Sequence, residues 1–586
     1  MRKDRREFLH NTTRMAAGVM LFPNSFKVNR KMDTHFGPFR AVSTTYYVDT
    51  AGSNQNSGTS ISEPWENFKN INAKTFIPGD SVLLKRGCIW NQELKINGAG
   101  SPKQFITVAA YGVGARPKIQ RDGKPTDRCM RLNNASYIQI SGIEVSNGGA
   151  GIVLFYDHSY NNRSVYLDDI VAHDFMGLPP EGQTDRVTWS YGIGVTGVEN
   201  TPNNETRVLS DLKITNTEVY NTGAGIALDW GNHFCADGSL ALNNKFGDVY
   251  MEHLNLHDNT VDPVSFASLF ITSVTGCTIR NSTIDKGCKY ATTGTAALQI
   301  MYSKNVTVEK VTIKNTPFNP CPDNSAIDFE CRNENVLVDG CSFENNAGPA
   351  IELLATPNNA DPYTRNFVIR NNTFIGNNWA RKLGPYQILV PDWQHGNCPT
   401  GKISNNKYSN APNTQFLGGD GNTTQIELSG NKNIGQPESE ATTIKLWKFD
   451  SEGDLKGWRI GNGLRRLHAS SGRLEGEING ADPSILSSED LGISIFAKIF
   501  VRIVMKNATK AAFGQIYFIT NADMIWNEDK HRDFWLHSEE AGYKTYDLDM
   551  SLVAGWNGIL KMLRVDPEQG VSKGAFSIDT IEILRG

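Results

Sequence analysis

Three acids, Asp328, Glu330 and Glu352, stand in two short apolar segments, Ala326-Ile-Asp-Phe-Glu and Ala350-Ile-Glu-Leu. The period-two alternation reads each segment as a β-strand, with Ile327 and Phe329 inward and the acids outward. Setting the inward residues of successive segments in register gives two outward columns. One is Ala227, Phe270, Gln299, Asp328, Glu352, Gln387; the other is Asp229, Thr272, Met301, Glu330, Leu354, Leu389. With strands about 4.8 Å apart and alternate residues about 6.6 Å apart, the three acids share one patch. Mutual repulsion then keeps a proton on at least one of them. A protonated carboxyl beside an ionised one is the pair that glycoside hydrolysis requires. A cross-strand pair at about 5 Å, Asp328 with Glu352, suits retention, and Asp328 with Glu330 at about 6.6 Å or more suits inversion, the outcome this reading favours. Asp229 is a fourth candidate, about 14 Å away by the inter-strand spacing. Gln299, Asp323, Arg332 and Lys289 are the residues to bind sugar hydroxyls, with Trp230 as a stacking surface and His233 as a polar contact. The structural alternative is a solvated charged face balanced by Arg332.

Two other functions compete with hydrolysis. A polysaccharide lyase abstracts the proton beside a uronate carboxylate while a cation neutralises that carboxylate. Lys286, Lys289, Tyr290 and Arg332, with calcium held by the acids, are candidates for those parts. A non-catalytic polysaccharide-binding or adhesion protein would need no coupled acid pair. His158 reads as a loop residue rather than a catalyst.

The acids have to be positioned by a repeating scaffold. An apolar-polar-apolar motif ends at Ile140, Leu167, Ile214, Met251, Ile279, Val308, Val338, Ile369 and Ile403, at a drifting interval of roughly thirty residues in its later steps. Polar corners rich in Asn follow, such as Arg280-Asn281-Ser282-Thr283 and Arg370-Asn371-Asn372-Thr373. Asn tolerates the left-handed backbone of a tight corner and can hydrogen-bond to the next coil. A second strand opens on a small residue: Gly151, Gly192, Gly225, Ala297, Ala326, Ala350. Stacked coils of two or three strands make a parallel β-helix. Insertions between Leu167 and Ile214 and before Met251 read as groove walls.

Tyr46-Tyr47-Val48-Asp49, Gly58-Thr59, Glu63-Pro64-Trp65, Pro78-Gly79-Asp80-Ser81-Val82-Leu83-Leu84-Lys85-Arg86-Gly87, Trp90 and Tyr111-Gly112 resemble the N-terminal coils of the pectin-lyase-like right-handed β-helix proteins. That family includes glycoside hydrolases and polysaccharide lyases, so the resemblance implies the fold and leaves the chemistry open. The right-handed parallel β-helix is expected over 45–410 and a connector over 411–442. From 443 to 586 long alternating strands suggest a β-sandwich. Phe449-Asp450-Ser451-Glu452-Gly453, Gly457-Trp458, Leu563-Arg564-Val565-Asp566-Pro567 and Ile578-Asp579 resemble the jelly-roll carbohydrate-binding modules. Trp526, Trp535 and Tyr543 are then candidates to stack on sugar rings, or core residues of a structural cap. Asp450, Glu452 and Asp579 suit a structural calcium, the alternative being solvated carboxylates. No cofactor is required by this reading.

The chain has 586 residues and a formal net charge of −4, which offers no footprint for nucleic acid or an anionic membrane. The expected partner is a polysaccharide or oligosaccharide. Residues 1–30 read as an export signal, with Arg5-Arg6-Glu7-Phe8-Leu9 resembling the twin-arginine type, so a periplasmic or extracellular location is expected. No other stretch is apolar enough to cross a membrane. Nine cysteines without a C-x-x-C pair read as buried thiols rather than a disulfide framework.

Overall fold

The computed structural model describes residues 42–585, except 158, 177–189, 197–205, 229–244, 260–266, 289–294, 319–322, 356–363, 393–395, 411–413, 436–441, 496–498 and 537–541. The export-signal segment, Asp229, Trp230, His233, Lys289, Tyr290 and His158 therefore lie outside the described residues. Among the described residues no helix is long and apolar enough to cross a membrane.

Three parallel sheets stack along one axis: a first of 13 strands from Thr45–Val48 to Ile426–Ser429, a second of 12 from Thr75–Phe76 to Gln415–Gly418, and a third of 12 from Ile89–Trp90 to Lys432–Asn433. Each coil visits the second, first and third sheets in turn, which is the path of a parallel β-helix. The motif residues are register partners in an unbroken column, Ile140, Leu167, Ile214, Met251, Ile279, Val308, Val338, Ile369 and Ile403. Their side chains fill one continuous core.

The corner from the first to the third sheet is two residues long in successive coils. Its first residue is left-handed at Asn216, Asn281, Asn371 and Asn405, with φ of 50°, 48°, 56° and 56°. Its second residue builds a ladder: the Asn372 backbone N–H and Nδ2 donate to Asn406 Oδ1 at 2.9 and 3.0 Å, and Asn406 Nδ2 donates to Asn431 Oδ1 at 2.8 Å. These amides sit where a corner leaves buried backbone groups, and they satisfy carbonyls such as Ile369 O as well. From the coil of Ile138–Ser141 onward, the connections that vary in length all border the second sheet. Added length in a connection costs little closure entropy per residue.

The N-terminal coil explains its motif. Asp80 caps the turn, accepting from Thr44 N at 2.8 Å and Ile77 N at 3.1 Å. Gly58 has φ of +70°, and a Cβ there would lie 2.4 Å from the Trp65 ring.

The stack continues past its expected end. Gln415–Gly418, Ile426–Ser429 and Lys432–Asn433 pair with all three sheets, so most of the segment expected as a connector is a final coil. Its Gly-rich, polar sequence hid the short apolar strands, and Phe416 packs on Phe374 and Tyr408. Two antiparallel six-stranded sheets follow, with their own core. The first strand, Thr442–Lys448, pairs with the last, Gly574–Arg585. Cys88, Cys129, Cys277 and Cys341 are buried thiols. Burial pushes the last three up to about 12.

Candidate active site

The outward face of the second sheet carries the acids. Phe270 pairs with Gln299, Gln299 with Asp328, and Asp328 with Glu352 across the strands Leu269–Thr272, Thr295–Met301, Asp323–Glu330 and Ile351–Leu354. Thr272, Met301, Glu330 and Leu354 form the neighbouring column. From Phe270 and Thr272 onward both columns match the expected register up to this coil, and Asp229 lies outside the described residues. The last step does not: Glu352 pairs with Leu389, not Gln387, and Ile351 pairs with Ile388. A slip of two residues keeps every side chain on its own face, so an inside-outside pattern cannot detect it. Gln387 instead joins the buried amides, accepting from Asn377 Nδ2 at 3.1 Å.

The acids face outward yet are not on an open wall. Asp328 and Glu352 are 0 % exposed, Asp323 1 %, Gln299 2 % and Glu330 5 %. A solvated face balanced by Arg332 is therefore not what forms. Arg332 is half-buried on left-handed backbone (φ 50°), and among the described residues it pairs with no carboxylate.

Carboxylate oxygens of Asp323, Asp328 and Glu352 lie within 4.8 Å of one another. Asp323, expected only to bind substrate, is thus part of the acid cluster. Asp323 is five positions from Asp328, so simple alternation would turn it inward. A register shift opposite Thr295 and Ala296, with Asp323 and Asn324 both left-handed (φ 79° and 59°), breaks the alternation. The bulge is packed tightly: a Cβ at Gly348 would lie 2.1 Å from Asp323 O. Asn324 O accepts from Thr316 Oγ1 at 2.8 Å and Gly348 N at 3.0 Å. A bulge re-aiming a side chain beside a polar cluster is a recurrent active-site device.

Ser325, which sequence reasoning missed, donates from Oγ to Glu352 Oε2 at 2.8 Å. Nothing in the pattern distinguishes it from other small residues that open these strands. Glu330 stands apart from the other three, accepting from Gln299 Nε2 at 2.5 Å. Asn333 Nδ2 donates to Ile300 O and Glu330 O at 3.0 and 3.3 Å, fixing the end of the strand. Apolar side chains, Ala227, Phe270, Met301 and Tyr302 among them, form a small buried cluster on the same flank. Of the residues suggested for a lyase, Lys286 lies in a corner after the third sheet, ion-paired with Asp258 at 3.4 Å.

In the sandwich, Asp450 and Glu452 are exposed and Asp579 is half-buried. They do not converge into a metal-holding group; among the described residues only Asp323, Asp328 and Glu352 do. The Asp450 and Glu452 carboxylates sit in a solvated turn after the first strand. Trp535 is taken up by packing on Phe513 and on Phe318 of the helical stack, at 5.4 Å in each case. Tyr543 shares a 2.7 Å hydrogen bond with Ser577 and lies under Arg473. Trp526 is half-buried beside the exposed Met524 and Ile525.

Residues 249–433 match the family described as "Right handed beta helix region". No curated protein matches the chain. A solved lacto-N-biosidase from Eubacterium ramulus is 17 % identical, over 66 % of this chain and 68 % of that one, with a TM-score of 0.49. An alginate lyase from a Paenibacillus species is 14 % identical, over 63 % and 96 %, with a TM-score of 0.36. A xylan-binding module from Roseburia intestinalis is 7 % identical, over 24 % and 93 %, with a TM-score of 0.18.

Proposed function

We propose that the protein is a carbohydrate-active enzyme that hydrolyses glycosidic bonds of a polysaccharide or oligosaccharide with Asp328 and Glu352 as its paired carboxyls. The observation that carries this reading is their direct pairing across adjacent strands, wholly buried, with carboxylate oxygens within 4.8 Å. Three carboxyl groups so close and so dry are not all ionised at once unless a cation sits among them. Without a cation, one keeps a proton and another a charge, which is the division of labour of a glycosidase.

The close separation supports a retaining course, against the inversion that the sequence reading favoured. A hydroxyl donor stabilises the charged form of the carboxyl it meets, so Ser325 marks Glu352 as the ionised nucleophile. Asp328 is then the acid that protonates the leaving oxygen and afterwards the base that activates water. Asp323, on its bulge, supports the proton on Asp328 by its own charge. Gln299 and Glu330, linked at 2.5 Å, are the neighbouring polar pair for sugar hydroxyls.

The test is turnover of aryl glycosides and of neutral and uronic polysaccharides. An activated aryl leaving group departs with little help from an acid, so Asp328→Asn should still release one equivalent of aryl group in a burst and then turn over slowly for want of its base, whereas Glu352→Gln should show no burst. Failure of both variants to lose activity on natural linkages would overturn the assignment.

A second reading is a lyase, and the size of the acid cluster is what favours it. Three carboxylate oxygens within 4.8 Å suit a hard divalent cation, which would neutralise a uronate carboxylate beside the scissile bond. Asp323, Asp328 and Glu352 would hold that ion. Ultraviolet-absorbing unsaturated products, lost on chelation, would replace hydrolysis with this reading.

A further inference from the structure

The outward column that carries the acids begins at two cations, seven and six coils before Asp328. Lys95 pairs with Arg131, and Arg131 with Val153; Gly194, Ala227 and Phe270 then lead to Gln299 and Asp328. At about 4.8 Å per coil, Arg131 and Asp328 are roughly 29 Å apart. That exceeds the screening length of about 8 Å in physiological salt, so the two ends are electrostatically independent. Between them Val153, Ala227 and Phe270 are buried, which makes the cationic end a separate surface.

Arg131 is prearranged. Its guanidinium lies on the Phe155 ring, 4.1 Å from the centroid, and its Nε donates to Asn133 Oδ1 at 2.7 Å. Asn133 is held in turn, donating from Nδ2 to Asn97 Oδ1 at 2.7 Å. The ring fixes the guanidinium plane and the amide fixes its edge, and no carboxylate among the described residues pairs with it. Its two Nη atoms therefore present the fork that matches a carboxylate or sulfate. Lys95, the register partner of Arg131, is 43 % exposed at its side chain and ion-paired with Glu93 at 3.3 Å, and it lines a cleft of about 340 Å³ together with Lys69 and with Arg121, which pairs with Asp127 at 3.5 Å. Burial, with Arg131 alongside, pulls the neighbouring Arg128 guanidinium below its ordinary value.

We infer that Arg131, mounted on Phe155 and assisted by Lys95, forms a binding subsite for an anionic sugar unit of the substrate polymer, remote from the acid cluster. The inference rests on the carbohydrate-active reading and adds to it the charge class of the substrate. Only an extended polymer reaches both ends of the face, so the subsite selects long anionic chains over neutral or short ones.

The test is calorimetric titration of the full chain carrying Asp328→Asn with three probes: a uronate hexasaccharide, its carboxyl-reduced neutral counterpart, and a sulfated neutral hexasaccharide. The uronate or the sulfated probe is expected to bind more tightly than the neutral one, and whichever binds identifies the anion. Adding Arg131→Gln should weaken that binding about tenfold or more and leave the neutral probe unchanged. If Arg131→Gln lowers the melting temperature enough to obscure binding, Lys95→Gln carries the same comparison. Equal affinity for charged and neutral probes, or no change in either variant, overturns the subsite. Turnover of a probe by the Asp328→Asn protein would refute the catalytic assignment without touching this one.

Discussion

Arg532 of the C-terminal sandwich lies on the indole of Trp379 in the helical stack, 3.7 Å from guanidinium carbon to ring centroid. Around it, Arg381 Nη2 donates to Trp535 O at 3.0 Å, and Phe318 meets Trp535. These contacts cover His531–Trp535 and Lys544–Asp549, one edge strand of each sandwich sheet. Exposed edges invite pairing with other chains, so docking protects both at once. The sandwich is a packed partner of the stack rather than a tethered module.

It follows that Trp379→Ala should uncouple the two units. Calorimetry should show one cooperative transition in the parent resolving into two in the variant, with the sandwich melting earlier. A single transition at the parent temperature would refute the coupling.

Amide replacement of the acids should separate them by role. Asp328→Asn and Glu352→Gln are each expected to lower kcat by about 10² to 10⁴ on an unactivated substrate. Glu330→Gln should cost less, because Gln299 already occupies that carboxylate. Folding should survive in all three, since each amide keeps the shape of the carboxyl it replaces and adds no charge to the buried cluster. Steady-state kinetics beside thermal melts measure both effects, and a larger loss in Glu330→Gln than in Glu352→Gln would reverse the assignment.

The Asn ladder should be structural. Replacing Asn406 by Ala removes the acceptor of the Asn372 backbone N–H and the side-chain donor to Ile369 O in a buried corner, and each orphaned polar group costs about 1–3 kcal/mol. Urea unfolding should register a loss of a few kcal/mol, with turnover unchanged in the protein that remains folded.

Buried acids in the sandwich should give it an acid-favoring stability. Burial pushes Glu568, 0 % exposed, up to about 7. Asp566 is also pushed up to about 7 by burial, but Arg564 grips it at two contacts of 2.6 Å. That bidentate pair favours an ionised Asp566, so Glu568 is the better carrier of the effect. Its carboxyl holds its proton longer in the folded state than in the unfolded chain, where the ordinary value of 4.5 applies. Between those two values the folded state binds more protons, so stability falls as pH rises through about 4.5 to 7 and is flat above. Glu568→Gln should remove that slope and raise the melting temperature at pH 8. Melts across pH 4 to 8 decide it, and a slope that persists in the variant would place the titration elsewhere.

The coil column from Ile140 to Ile403 was legible because burial on one face imposes period two and stacking imposes a recurring interval. The same alternation put Gln299, Asp328 and Glu352 in one column and Met301, Glu330 and Leu354 in the other. It failed at Gln387, where a two-residue slip leaves the pattern intact, and at 411–442, where short strands among Gly and Asn read as connector.

What sequence alone determined was which residues face in, which face out, and how coils stack, since apolar burial at fixed periodicity decides these locally. Tertiary structure alone decided that Asp323 turns toward Asp328 and Glu352, because a bulge of two left-handed residues breaks the count. It alone decided that the acids are buried rather than solvated, since burial depends on what packs over a face from elsewhere in the chain. It also set Trp535 against Phe318, a contact between segments more than two hundred residues apart that no local periodicity encodes.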